Sequence, residues 1–247
     1  MIHVKSEKEI DLIREACRVV KATFDFVGTK IKAGMTTKEL DTLIERFIRS
    51  EGANPSCLGY GGFPASACIS INEVVVHGIP DNRVIQDGDI VSVDIVADKN
   101  GYHGDACRTY CIGNVSEERK ALVQRTEECF FKAIENLRAG TPLFDIGYRV
   151  QKHAESFGYG VIRSYTGHGI GKEMHEDPSV PNHGKLGTGT RLKAGTVLCI
   201  EPMIALGDWR VKLLPDGWGA VTADGKAAAH YENTVVVRED GVEILTL

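Results

Sequence analysis

The 247-residue chain is long enough for one large domain or two small ones, and its 43% of hydrophobic residues can build a sizeable core. A formal net charge of −5 argues against a general nucleic-acid or membrane-surface binder. The N-terminus carries charges where a signal peptide needs an apolar core, and no apolar run approaches the roughly 20 residues that span a bilayer. Seven scattered cysteines without a CxxC pair are typical of reduced thiols, so we expect a soluble, cytoplasmic protein.

The first elements in the chain are two amphipathic helices. Residues 6–9 have the pattern of a capping box, and apolar residues then recur at helical spacing as far as Ile31. Residues 36–39 form a second capping box, which predicts a helix to about Glu51. Short apolar segments between residues 67 and 76 follow.

Residues 89–110 predict a β-hairpin that carries two carboxylates. Alternating apolar residues define the first arm, and Asn100-Gly101 favours a tight turn. A two-residue loop would put Asp105 opposite Val96, and a four-residue loop would put it opposite Asp94. In either register Asp94 and Asp105 share a face of the sheet, with Cβ atoms roughly 4.5 to 8 Å apart.

Two carboxylates at this separation repel each other unless a proton or a cation lies between them. A single Asp on a strand is usually solvated on an exposed face, so the pair alone does not establish a metal site. Further ligands have to come from the rest of the chain.

The second half of the chain repeats features of the first. After a helix predicted from Ser116 to about Arg138, similar residues return at offsets of 106, 107 and, for some motifs, other spacings. The matched pairs include Gly34 with Gly140, Gly52 with Gly158, Asp94 with Glu201, Asp105 with Glu232, and His77 with His168. The repeat predicts one α+β domain of two halves, about 1–115 and 116–247, related by a pseudo-twofold. We expect one curved antiparallel sheet with helices covering one face.

Five candidate ligands result from this pattern. They are Asp94, Asp105, His168, Glu201 and Glu232. Four carboxylates and one imidazole are too many for a closed structural zinc site, but they suit two divalent cations roughly 3.5 to 4 Å apart. Glu201 follows apolar residues, and an acid in such a setting is costly to bury unless it is paired.

A glycine-rich segment at residues 165–176 carries two histidines, His168 and His175. Its glycines allow close approach of the backbone to another group. A phosphate-binding loop is disfavoured because neither a GK[ST] ending nor Rossmann spacing is present. A serine nucleophile is disfavoured because the sequence has no GxSxG elbow. A cysteine nucleophile remains an alternative, although no feature of the sequence singles out one of the seven cysteines.

Five motifs in collinear order resemble type I methionine aminopeptidases over nearly the whole chain. They are SINEVVVHGIP at 70–80, NGYHGD in the hairpin, TGHGIGKEMHE at 166–176, CIEPM at 199–203 and HYENT at 230–234. The resemblance implies the pseudo-symmetric "pita-bread" fold and the bacterial organisation of that family. It implies removal of N-terminal methionine from nascent proteins and peptides with a small second residue.

The resemblance also implies a role for each candidate residue. The five ligands would hold two divalent metals, Co, Mn, Fe or Zn, with Asp105 and Glu232 bridging. A metal-bridging hydroxide would attack the scissile carbonyl, and Glu201 would also shuttle protons. His175 would donate to the carbonyl oxygen, and His77 would hydrogen-bond near the scissile amide.

A soft, apolar methionine pocket is implied by position. Its residues would be Cys57, Tyr60, Phe63, Cys68, Met174 and Trp218. Three positions, Gly61, Met174 and Asn233, depart from the commoner family pattern, which bears on pocket shape and on the surroundings of Glu232. We further expect a monomer that binds neither a specific nucleic-acid sequence nor a membrane, and processing of nascent chains would suggest a transient contact with the ribosome.

Two other interpretations remain. A proline-directed peptidase or creatinase relative would share this fold but usually carries a large extra N-terminal domain, which we do not expect here. A catalytically inactive peptide-binding or ribosome-associated relative would have lost ligands, whereas all five candidate ligands and both histidines are present.

Overall fold

The computed structural model describes residues 2–247, which form four α-helices, one 3-10 turn and fifteen strands. The helices are α1 (Glu7–Gly28), α2 (Thr37–Ser50), α3 (Glu117–Ile134) and α4 (Phe144–Glu155). The strands of the first half are β1 (Asn54–Pro55), β2 (Cys68–Ile71), β3 (Val74–Val76), β4 (Ile90–Lys99) and β5 (Tyr102–Cys111). Those of the second half are β6 (Gly160–Val161), β7 (Gly167–Gly169), β8 (Glu176–Val180), β9 (Val197–Ile200), β10 (Met203–Ala205), β11 (Val211–Leu213), β12 (Ala220–Thr222), β13 (Ala228–His230), β14 (Glu232–Val237) and β15 (Val242–Ile244).

The helix starts follow the sequence closely, and two of the helix ends do not. Both predicted capping boxes are present, at Ser6 for α1 and at Thr36 for α2. Helix α1 ends at Gly28 rather than Ile31, because the Thr29 hydroxyl and amide both bond back to the carbonyl of Phe26. Helix α3 ends four residues before Arg138, since Asn136 has a φ of 60°, which no α-helix accommodates.

A nine-stranded antiparallel sheet forms the centre of the fold. Its main order is β1-β4-β5-β14-β9-β7-β8, with β2 paired to β4 and β15 paired to β14. The β4–β5 hairpin has the two-residue loop, because Lys99 pairs with Tyr102 and Asp105 pairs with Val96. Asn100 and Gly101 have φ angles of 55° and 76°, as a type I′ turn requires.

Apolar side chains on one face of this sheet pack against the helices. Val91, Val93 and Ile95 of β4 lie in a core with residues of α1 and α2, and Leu198 and Ile200 of β9 lie in a second core with residues of α3 and α4. Polar side chains of the same strands are thereby directed to the opposite face. The predicted α+β fold, with helices covering a curved antiparallel sheet, is confirmed. Within residues 2–247 we find no helix long and apolar enough to cross a membrane.

Two glycines matched by the sequence repeat make the same kind of backbone hydrogen bond. The amide of Gly34 donates to the carbonyl of Ile85, and the amide of Gly140 donates to the carbonyl of Leu192. Both glycines have a φ of 88°. The repeated turns therefore have the same backbone geometry.

The strand pairing gives His168 a counterpart other than His77. His168 lies opposite Cys199, as Ser70 lies opposite Ser92 in the first half. Because Ser92 and Cys199 are 107 residues apart, like Asp94 and Glu201, Ser70 is the structural equivalent of His168. His77 instead follows β3 at a φ of 57°.

Candidate metal centre

Five neighbouring strands bring the candidate ligands to one region of the sheet. Asp94 lies on β4, Asp105 on β5, Glu232 on β14 and His168 on β7, and Glu201 follows β9 directly. These strands are neighbours in the order β4, β5, β14, β9 and β7. The pairing of Glu232 with Cys107 and of Asn233 with Ile200 puts all four acids on one face, since side chains alternate along a strand. Adjacent strands lie about 4.7 to 4.9 Å apart, so side chains from neighbouring strands can meet.

Distances between the side chains show how closely these groups approach one another. His168 Nε2 lies 3.6 Å from Asp105 Oδ2 and 3.6 Å from Glu201 Oε1. Asp105 Oδ1 and Glu232 Oε1 are buried and have no hydrogen-bond partner among the described residues. Buried carboxylate oxygens are normally hydrogen-bonded or bound to a metal. The acids thus offer free oxygens to a common centre, which fits divalent metal ions.

Burial also changes the pKa values of these acids. It raises the pKa of Asp94 to about 7. Burial and then the neighbouring charges of Glu232 and Asp94 raise the pKa of Asp105 well above its ordinary value, and burial has the same effect on Glu201 and Glu232. A divalent cation would remove the repulsion and favour the ionised carboxylates.

His168 is in the form that binds metals. Burial lowers the pKa of His168 to about 4, so its imidazole is neutral near pH 7. Its Nδ1 lies 2.9 Å from the carbonyl oxygen of Gly169, which makes Nδ1 the protonated nitrogen. The lone pair of Nε2 then points to the acids, an arrangement common among metal-binding histidines.

The four acids line a cavity of about 370 Å³, and apolar side chains form another part of its wall. Its lining includes all six residues of the predicted methionine pocket: Cys57, Tyr60, Phe63, Cys68, Met174 and Trp218. Phe63 and Trp218 make an edge contact with ring centroids 5.2 Å apart, and Tyr60 is 46% exposed at the rim. The structure therefore joins an apolar pocket to a cluster of acids in one cavity.

His77 and His175 line the same cavity. The Tyr60 hydroxyl lies 2.7 Å from His175 Nδ1, and the rings of His168 and His175 are 4.4 Å apart. His77 packs edge-on against Tyr165, and its positive φ is uncommon for a residue with a side chain. Such backbone conformations cluster at functional sites.

Two further side chains reach the acids. His230 Nε2 lies 3.7 Å from Glu201 Oε2 and 3.9 Å from Glu232 Oε2. Cys199 has its sulfur within 4.8 Å of ligand atoms of Asp105, His168 and Glu232. Neither residue belongs to the ligand set predicted from the sequence. The position of His230, two residues before Glu232 in a strand-like segment, is a signal that could have identified it.

Comparison with known proteins gives a family match over most of the chain. Residues 11–239 match the model of metallopeptidase family M24. The chain belongs to metallopeptidase family M24. The M24 chain is 53% identical to a methionine aminopeptidase of Clostridium acetobutylicum over 100% of this chain and 99% of that protein.

Solved structures support the same fold for this M24 metallopeptidase. The crystal structure of methionine aminopeptidase from Rickettsia prowazekii matches with a TM-score of 0.98 and 43% identity, over 100% of both chains. An X-Pro aminopeptidase from Thermotoga maritima matches with a TM-score of 0.78 and 27% identity, and this chain covers 62% of it. The pita-bread fold expected from the sequence is confirmed.

Proposed function

We propose that this M24 metallopeptidase removes the N-terminal methionine from nascent proteins and peptides whose second residue is small. The observation that carries the proposal is the single cavity in which four acids and His168 adjoin a soft, apolar pocket. The identity to curated methionine aminopeptidases over the full chain supports the same function.

The proposed ligands of the metal centre are those expected from the sequence: Asp94, Asp105, His168, Glu201 and Glu232. Two ions, Co, Mn, Fe or Zn, suit this number of oxygen donors with one nitrogen. When bound, they would supply Lewis-acid polarisation of the scissile carbonyl and a water of lowered pKa. Cys199 is left out because its sulfur already has a partner, the Thr234 hydroxyl at 3.7 Å.

The protein's own groups would handle the substrate. If the Tyr60 hydroxyl donates to His175 Nδ1, the neutral imidazole carries its proton on Nε2 and can donate to the carbonyl oxygen as charge develops there. His77, held at the cavity wall by the fold and by Tyr165, would hydrogen-bond near the scissile amide. Glu201 would accept and return a proton as a general base and acid.

The pocket would select methionine by packing. Cys57, Phe63, Cys68 and Met174 are buried in one apolar cluster, and Trp218 packs against it. A flexible thioether side chain fits among sulfur atoms and aromatic edges. Met174 belongs to this cluster, so its departure from the family pattern bears on pocket shape.

A proline-directed peptidase is the second candidate, because X-Pro aminopeptidases share the fold. The soft lining of the pocket favours methionine at the first position. A proline-directed enzyme would instead require proline at the second position of its substrate.

The deciding experiment is cleavage of Met-Ala-Ser, Met-Leu-Ser and an Xaa-Pro peptide by protein reconstituted with each divalent metal in turn. We expect turnover of Met-Ala-Ser well above that of the other two. Asp94→Ala should abolish turnover because a ligand is lost, whereas the exposed Asp240→Ala should not change it. Equal turnover by Asp94→Ala and the unaltered protein would refute the site assignment, and absence of turnover with every metal would favour an inactive relative.

We further propose that residues 1–247 form a single catalytic domain of two halves, about 1–115 and 116–247, which acts as a cytoplasmic monomer. The matched hydrogen bonds at Gly34 and Gly140 support the two halves, and seven free thiols suit a reducing compartment. Light scattering measures the molar mass in solution, which should be that of one chain. Co-sedimentation with translating ribosomes tests the transient contact that processing of nascent chains would need.

A further inference from the structure

His230 has a buried nitrogen that faces the metal centre and is not used by the proposed mechanism. The residue is 2% exposed, and its Nε2 has no hydrogen-bond partner among residues 2–247. A buried polar group without a partner is unfavourable, so such a group in a folded protein calls for an explanation.

The backbone of His230 is held firmly by the neighbouring strand. Its amide donates to the Thr109 hydroxyl at 3.1 Å, and the same hydroxyl donates to its carbonyl at 2.8 Å. His230 also pairs with Met203 of β10. The direction of the imidazole is therefore set by the sheet rather than by a loop.

The carboxylate of Glu201 lies between two imidazoles. Its Oε1 atom is 3.6 Å from His168 Nε2, and its Oε2 atom is 3.7 Å from His230 Nε2. The two histidines present different nitrogens, because His168 carries its proton on Nδ1, beside the Gly169 carbonyl. The nearest charged groups to His230 Nε2 are two carboxylate oxygens, which only accept hydrogen bonds, so a proton on Nε2 fits this side.

We propose that His230 is a positioning residue that donates a hydrogen bond from Nε2 to Oε2 of Glu201 and so orients this carboxylate in the metal centre. A movement of less than about 1 Å brings 3.7 Å into the normal range of a hydrogen bond. Glu201 then keeps Oε1 for the cation that it shares with His168. The inference rests on the proposed function, because it assigns Glu201 to the metal centre.

The test compares His230→Gln, His230→Asn and the unaltered protein. The amide of Gln can reach Glu201 and donate to it, whereas the shorter Asn cannot. Loss of a hydrogen bond to a metal ligand typically lowers metal affinity or activity by about 10- to 100-fold. We expect this loss in Co(II) affinity and in kcat for Met-Ala-Ser with His230→Asn, near-complete recovery with His230→Gln, and an unchanged KM.

His153→Gln on α4 is the matched control, since His153 lies outside the cavity and pairs with Glu128. Equal Co(II) affinity of His230→Asn and the unaltered protein would overturn the proposal, and so would equal impairment of both His230 variants. A changed visible spectrum of Co(II) in His230→Gln would also overturn it, because His230 would then be a ligand. The Co(II) measurements decide the role of His230 even if the unaltered protein fails to cleave Met-Ala-Ser, which would refute the proposed function instead.

Discussion

The buried acids of the metal centre make the stability of the metal-free protein depend on pH in a specific way. Burial raises the pKa of Asp94 from 3.8 to about 7. Between these values the folded protein keeps a proton on Asp94 that the unfolded chain releases, so this residue lowers the free energy of unfolding as the pH rises. Each pKa unit corresponds to about 1.4 kcal/mol, so the contribution of Asp94 changes by about 4 kcal/mol between about pH 4 and pH 7.

Asp94→Asn removes this contribution together with the repulsion that the Asp94 carboxylate exerts on Asp105 and Glu232. The buried histidines have lowered pKa values and act in the opposite direction, gaining stability as the pH rises toward about 6.5, but they are common to both proteins and cancel in the difference. We therefore expect metal-free Asp94→Asn to become more stable relative to the metal-free unaltered protein as the pH rises, by about 4 kcal/mol from Asp94 itself and by a further amount of the same sign from the relieved repulsion.

Urea denaturation after treatment with a chelator, at several pH values from about 4.5 to 8, measures this difference. Exposed Asp240→Asn serves as the control and should give a difference that does not vary with pH. Saturation with a divalent metal should reverse the order near pH 7.5, because the Asn variant lacks a ligand. A difference between the metal-free proteins that is constant with pH, or that changes in the opposite direction, would refute the assignment of a buried proton to Asp94.

Three further predictions concern the sheet, the repeat and the pocket. Gly34→Ala and Gly140→Ala should each lower the free energy of unfolding by about 1 kcal/mol, because both glycines have a φ of 88° and no atom lies near the new methyl group. Gly241→Ala is the control, since Gly241 is equally open but has no positive φ, and it should not lower the free energy of unfolding. Unequal losses at the two matched glycines would contradict the repeat. Thr234→Val should destabilise the protein by about 1 to 3 kcal/mol in urea denaturation, because its buried hydroxyl bonds both the amide and the carbonyl of one residue on β5. Trp218→Ala should raise KM for Met-Ala-Ser more than it lowers kcat, because it opens the pocket without contacting the acids; a fall in kcat alone would contradict this role.

Much of the hairpin could be predicted from local sequence. Asn100 and Gly101 tolerate positive φ angles, and the alternation of Val91, Val93 and Ile95 indicates which face is buried. The choice between a two-residue and a four-residue loop stayed open, because both keep Asp94 and Asp105 on one face. The paired strands decided it in favour of the two-residue loop.

Other features depended on contacts between distant segments. The equivalence of His168 with Ser70 follows from strand pairing, and a match of short motifs had suggested His77 instead. The approach of His230 to Glu201, 29 residues earlier in the chain, likewise follows from strand pairing and not from the local sequence. The early ends of α1 and α3 depend on side-chain bonds and on one positive φ that helical periodicity does not report.

The amino-acid sequence by itself determined the local elements of this protein, namely the capped helices, the Asn-Gly turn and the turns at the repeated glycines. It also contained the acidic motifs that resemble those of a known metallopeptidase family. Only the tertiary structure decided which oxygens meet, which of them lack partners, and which nitrogen of His168 faces them. The reason is physical: helix caps and turns arise from interactions within a few residues, whereas strand pairing and burial join residues far apart in the chain. Burial then sets the pKa values of Asp94, Asp105, Glu201 and Glu232, and no local pattern encodes it.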